Sequence, residues 1–109
     1  MGTKIITDEL LANHNQRKFS FRDGTVLYIV FNNAGEYAYQ LLFSTQKLDR
    51  IRFDCMDKKW EVKTKPNHFH PRNTEQAFES PMKGEAEKDL NLLINLIKKG
   101  DLKDKNIRF

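Results

Sequence analysis

Four residues in the middle of the chain have the types and spacing that phosphodiester chemistry needs. In Asn67-His68-Phe69-His70 the two histidines are two apart, so in an extended segment both imidazoles address one side while Phe69 packs on the other. In Arg50-Ile51-Arg52-Phe53-Asp54 the polar residues alternate with apolar ones, which places Arg50, Arg52 and Asp54 on one face of a strand. Cleaving a phosphodiester requires a base for the attacking hydroxyl and an acid for the departing oxygen. Histidine suits both tasks, because its ordinary pKa lies near neutrality. The planar fork of an arginine binds two phosphate oxygens at once, and Asp54 is placed to orient an arginine or a histidine. The reading is therefore a catalytic set of His68, His70, Arg52 and Asp54. The competing reading makes Arg50, Arg52 and Asp54 an ion-pair ladder on a solvated sheet face.

Charge points to the same region. The chain carries 19 Lys and Arg against 15 Asp and Glu. Between Lys47 and Arg72 there are eight bases and four acids, so this stretch accounts for the whole formal excess of +4. A localised basic surface attracts nucleic acid or an acidic partner, although exposed strands also carry Lys and Arg to protect sheet edges. Arg50, Lys63, Lys65 and Arg72 are the expected phosphate-binding residues, and Tyr39 the candidate for stacking on a base. A metal is not expected. Two histidines fall short of the three or four ligands zinc takes, and the spacing selects no further ligand among His14, Asp54, Cys55 and Glu79. No cofactor is implied either. There is no Gly-rich phosphate loop, no Gly-x-Ser-x-Gly elbow, no Cys-x-x-Cys and no spaced carboxylate pair.

The elements that must position these groups read as an α+β fold. Lys18 to Arg22 and Thr25 to Phe31 flank Asp23-Gly24, a pair suited to a type I′ hairpin turn. Tyr37 to Phe43, Asp49 to Cys55 and Trp60 to Thr64 supply three more strands, the last with Trp60 and Val62 facing the core. Short connections imply an antiparallel meander of about five strands. Pro66 to Pro81 reads as a long loop. Glu85 to Lys99 has apolar residues at helical spacing, acids at its start, lysines at its end and Gly100 as a stop, so it should pack on one sheet face. Thr7 to Asn13 reads as a short opening helix capped by Thr7, and Asp101 to Phe109 as a frayed tail in which Ile107 and Phe109 would dock on a partner's groove.

At 109 residues the chain is expected to form a single domain over residues 1–109. A lone cysteine, Cys55, excludes an internal disulfide and suits a reducing compartment. With no run of the length a membrane span needs and no leader pattern, the expected location is the cytoplasm, with no membrane partner.

The order of these features resembles the TumE-like family of small prokaryotic toxins of toxin-antitoxin pairs. The residues that carry it are Asp23-Gly24-Thr25-Val26-Leu27, Tyr37-Ala38-Tyr39, Arg52-Phe53-Asp54 and Pro66-Asn67-His68-Phe69-His70, within a span of roughly Gly24 to Ile97. Where the family often has Asn after the Arg-aromatic-Asp triplet, His after Tyr-x-Tyr and His-His-x-His, this chain has Cys55, Gln40 and Asn67. The resemblance implies a cognate antitoxin. Joined to the histidine pair, it makes a toxin acting on RNA, as a metal-independent ribonuclease, the leading expectation. The rival is a noncatalytic binding module that engages a protein or forms a homodimer through its sheet.

Overall fold

The computed structural model describes residues 5–10 and 16–109, with side chains from Gln16 onward. Seven strands form one sheet in chain order: β1 (Ile5–Leu10), β2 (Gln16–Phe21), β3 (Val26–Phe31), β4 (Tyr37–Leu42), β5 (Arg50–Asp54), β6 (His68–His70) and β7 (Phe78–Glu79). Every neighbouring pair is antiparallel, which confirms the meander. A helix, α1 (Ala86–Lys99), follows, then a 3₁₀ turn at Asp101–Lys103. Gly100 ends α1 in the left-handed conformation at φ 76°, donating its N–H to the Ile97 carbonyl at 3.0 Å.

Alternation decides which residues enter the core. Leu27 and Ile29 of β3, Tyr37, Tyr39 and Leu41 of β4, Ile51 and Phe53 of β5, and Phe69 of β6 turn to one face, where Leu93, Leu96 and Ile97 of α1 cover them. Asp89 of α1 is buried and ties the helix down. It accepts the Tyr39 hydroxyl at 2.8 Å and the backbone N–H groups of Lys83 at 3.0 Å and Gly84 at 2.7 Å.

Four expectations are corrected. Thr7 to Leu10 belongs to β1, pairing with Ser20 to Arg17, so the opening helix is not formed there; residues 11–13 lie outside the described residues. Its cap signal is local and weak, whereas the β-branched run Ile5-Ile6-Thr7 finds a whole strand edge to pair with. The first hairpin is not type I′. Asp23 has negative φ and only Gly24 is left-handed, at φ 90°; Gly24 N–H bonds Phe21 O and Phe21 N–H bonds Thr25 O, the pattern of a three-residue loop. The place beside β5 is taken by His68–His70 rather than Trp60 to Thr64, because Phe69 stacks on Phe53 at 4.7 Å and becomes fully buried. The expected long loop thus contains β6 and β7, and residues 57–67 form turns.

The tail is the fourth correction. Leu102 is buried, Ile107 packs on the core, and the Phe109 ring lies 5.0 Å from Phe69 and 5.7 Å from Phe53. The tail therefore caps the part of the core face that α1 does not reach. Replacing Phe109 by Ala should cost about 1 kcal/mol, the usual value of aromatic pairing for a ring that remains partly exposed. Urea unfolding followed by tryptophan fluorescence measures it, and an unchanged midpoint would mean that the tail is not seated.

Candidate functional site

The sheet face opposite α1 gathers the polar side chains. Arg52 pairs with His70 across β5 and β6, and Asp54 with His68, so all four share that face. This is the juxtaposition expected from the two alternating segments. His68 and His70 lie edge to face with ring centroids 4.9 Å apart, and Trp60 closes over both, at 6.3 Å from His68 and 5.3 Å from His70.

Each imidazole is held by a backbone carbonyl. His68 Nδ1 donates to Pro66 O at 3.1 Å and His70 Nδ1 to Gln76 O at 3.1 Å. Carbonyls only accept, so both Nδ1 atoms carry hydrogen and the Nε2 atoms differ in what they face. His68 Nε2 presses on Asp54 Oδ1 in an ion pair sealed from solvent, although the contact lacks the angle of a hydrogen bond. Facing a carboxylate, Nε2 also takes a proton below the residue's raised pKa, and His68 is then an imidazolium. Burial works to discharge it, but Asp54 and the Pro66 carbonyl outweigh burial and raise its pKa. For Asp54, burial works to raise the pKa, and His68 together with Arg52 bring it below the ordinary carboxylate value. Arg52 donates Nε to Asp54 Oδ2 and Nη1 to Gln40 Oε1 at 3.3 Å.

His70 is the contrasting member. Burial lowers its pKa, only partly opposed by the Gln76 carbonyl, and the His68 charge lowers it further. It is therefore neutral near pH 7, with the lone pair on Nε2. That atom has no partner among the described residues and is not sealed as His68 Nε2 is. One fold thus holds a charged and a neutral histidine side by side.

The remaining expected site residues are spent elsewhere. Arg50 donates Nη1 to Pro71 O at 2.9 Å and Nη2 to Thr74 O at 2.8 Å, which pins the segment presenting the Gln76 carbonyl to His70. Arg72 pairs with Asp49 Oδ1 at 2.5 Å and lies over the Phe43 ring at 4.5 Å, away from the histidines. Lys65 pairs with Glu61 at 2.6 Å and Lys63 lies exposed among the turns. Tyr39 is 0% exposed and stacks on Tyr37 at 4.8 Å beneath α1, so it offers no face to a base. Its hydroxyl pKa is raised by burial and by Asp89. The open-face tyrosine is instead Tyr28, visible in principle from its alternation with Leu27 and Ile29. Trp60 was expected in the core; it closes the site because residues 57–67 turn back over β6.

Donor atoms of Asp54, His68 and His70 lie within 4.8 Å of one another, close enough for one cation. Of the other residues weighed as ligands, Cys55 is buried in the core, accepting Tyr37 N–H at 3.4 Å, Glu79 sits opposite His68 on β7, and His14 lies outside the described residues. A cation here would have to displace the proton of His68 and sit beside the Arg52 guanidinium, so the residues fit a proton-bearing ion pair better than a metal.

An antiparallel sheet with a helix on one face and an Arg-Asp-His-His cluster on the other, its Asp54, His68 and His70 buried and Arg52 partly exposed, defines an α+β protein with a polar site on the face away from the helix. The chain belongs to the TumE toxin family: the family model described as Toxin TumE matches residues 3–99. No curated protein and no solved structure matches the chain. Among the described residues no helix is long and apolar enough to cross a membrane.

Proposed function

We propose that this TumE-family toxin cleaves RNA without a metal, at the open-face cluster, within a cytoplasmic toxin-antitoxin pair. The observation that carries the reading is the unequal histidine pair: His70 is neutral with Nε2 available, and the charged His68 is locked behind it on Asp54. His70 takes the proton of a ribose 2′-hydroxyl as that oxygen attacks the adjacent phosphorus. Arg52 receives the phosphate oxygens, with the His68 charge adding to the field. The departing 5′ oxygen takes the proton back from His70, leaving a 2′,3′-cyclic phosphate. The roles are thus divided differently from a simple base-and-acid pair, because His68 Nε2 is occupied. Purified protein incubated with single-stranded RNA in EDTA should yield cyclic-phosphate ends at the rate seen without chelator. Loss of cleavage in EDTA would assign the cluster to a metal, and no cleavage in either condition would end the ribonuclease reading.

The noncatalytic rival is favoured by one observation. An apolar groove of about 300 Å³ lies between Phe19, Phe21, Leu27 and Ile29 of the sheet and α1, beside Ile94, which is 46% exposed. If a protein partner seated there were the whole function, Ile94→Asp would abolish the biological effect while a His68 and His70 double alanine variant kept it. The ribonuclease reading requires the double variant to lose toxicity on expression.

A further inference from the structure

The register on the open face lines up one residue from each of five strands. Lys18 of β2 lies opposite Tyr28 of β3, Tyr28 opposite Gln40 of β4, Gln40 opposite Arg52 of β5, and Arg52 opposite His70 of β6. Opposed residues share a face, so the row runs straight from Lys18, itself opposite Glu9 of β1, to the neutral histidine. Strands lie about 4.8 Å apart, so the row spans roughly 19 Å. Between its middle members lies a shallow groove of about 250 Å³ lined by Tyr28, Val30, Ala38, Gln40 and Arg52. Tyr28 is half-buried and has no ring or hydrogen-bond partner among the described residues. Gln40 supplies an amide held by Arg52 Nη1.

We propose that this row is a track for a single strand of RNA laid across β2 to β6, with a base stacked on Tyr28 beside Gln40 and the scissile phosphate at Arg52 and His70. The inference rests on the ribonuclease reading for the chemistry at its end, and adds the substrate class and the direction in which the substrate lies. Its parts match what a single strand offers. An aromatic face stacks any base, an amide bonds a base edge, and Lys18 at one end and Arg52 beside His70 at the other meet phosphates. A rigid duplex hides its bases and cannot give one to Tyr28. The side chains of Val30 and Ala38 keep the groove floor low enough for a base to reach the ring.

A short fluorescein-labelled 2′-O-methyl oligouridylate, which has no nucleophile and cannot be cut, tests the track by anisotropy titration. Tyr28→Ile, which keeps a strand-forming residue but removes the ring, should weaken binding about five- to a hundredfold without changing the salt slope. Tyr28→Phe should bind as the parent does, and Lys18→Ala should lower the salt slope by about 1. Melting curves confirm that each variant is folded. Equal affinity of Tyr28→Ile and parent, no binding by the parent, or equal affinity for duplex RNA would each overturn the track. Because the probe cannot react, the two readings fail separately. Tight, Tyr28-dependent binding by a protein that cuts no RNA leaves the track and sinks the catalysis. RNA cleavage with affinity indifferent to Tyr28 does the reverse.

Discussion

His70→Gln should lower RNA cleavage by about 10²- to 10⁴-fold, the usual contribution of a positioned acid-base group, with little change in the unfolding midpoint. The glutamine amide can still donate to the Gln76 carbonyl that His70 Nδ1 now reaches at 3.1 Å, so the variant keeps the anchor and loses the base. The pH profile tests the same assignment. The pKa of His70 is lowered by burial, so the base is deprotonated down to below its ordinary value, and activity should fall only as pH drops below about 6.5. The pKa of His68 is raised, so the charge behind the base persists above that value and is lost at higher pH, giving an alkaline limb. The His70→Gln residual rate should lack the acid limb. A variant with the parent's rate, or one that retains the acid limb, would show that another group is the base.

Much of this site can be read from alternation alone. Arg50-Ile51-Arg52-Phe53-Asp54 and His68-Phe69-His70 each show the period of two that puts polar groups on one face, and both segments are strands with those faces shared. What alternation does not contain is pairing between distant segments. Trp60 to Thr64 has the same local pattern as a strand, yet Phe69 stacks on Phe53, fully buried, and takes the position. Thr7 to Asn13 carries helix signals over a few residues, and a strand edge outweighs them at Thr7 to Leu10. The arginines show a second limit. Arg50, Arg52 and Arg72 look alike in a basic segment, but carbonyls of a returning chain claim Arg50, Asp49 and Phe43 claim Arg72, and only Arg52 stays on the row beside His70. Ion pairs to Asp49, Asp54, Asp57 and Glu61 engage Arg72, Arg52, Lys59 and Lys65, so the segment's excess of +4 rests on Lys47, Arg50, Lys58 and Lys63.

Asp54→Asn should destabilise the fold by about 3–5 kcal/mol near pH 6, because it leaves the His68 imidazolium buried without its counter-charge. His68 and Asp54 have side chains only 1% and 5% exposed, so water cannot take over the role. The pH dependence follows from the two shifts. Asp54 is lowered, so its contribution is present above the ordinary carboxylate value and is lost as pH falls through its folded value. His68 is raised, so its contribution is present below about 6.5 and is lost as pH rises through its folded value. The penalty of Asp54→Asn should therefore be largest between these limits and shrink at alkaline pH, where His68 is neutral in both proteins. Urea unfolding of the single variants and of the Asp54→Asn, His68→Gln double variant measures the coupling, and additive penalties would mean that the pair is not an ion pair. Replacing both by apolar residues of similar volume should bring the midpoint back near the parent's, since a buried ion pair rarely outperforms hydrophobic packing. That variant would fold and fail to cut RNA. A costly charge kept where packing alone would hold the sheet together is best explained by the neighbour it serves, the neutral His70 at the end of the row.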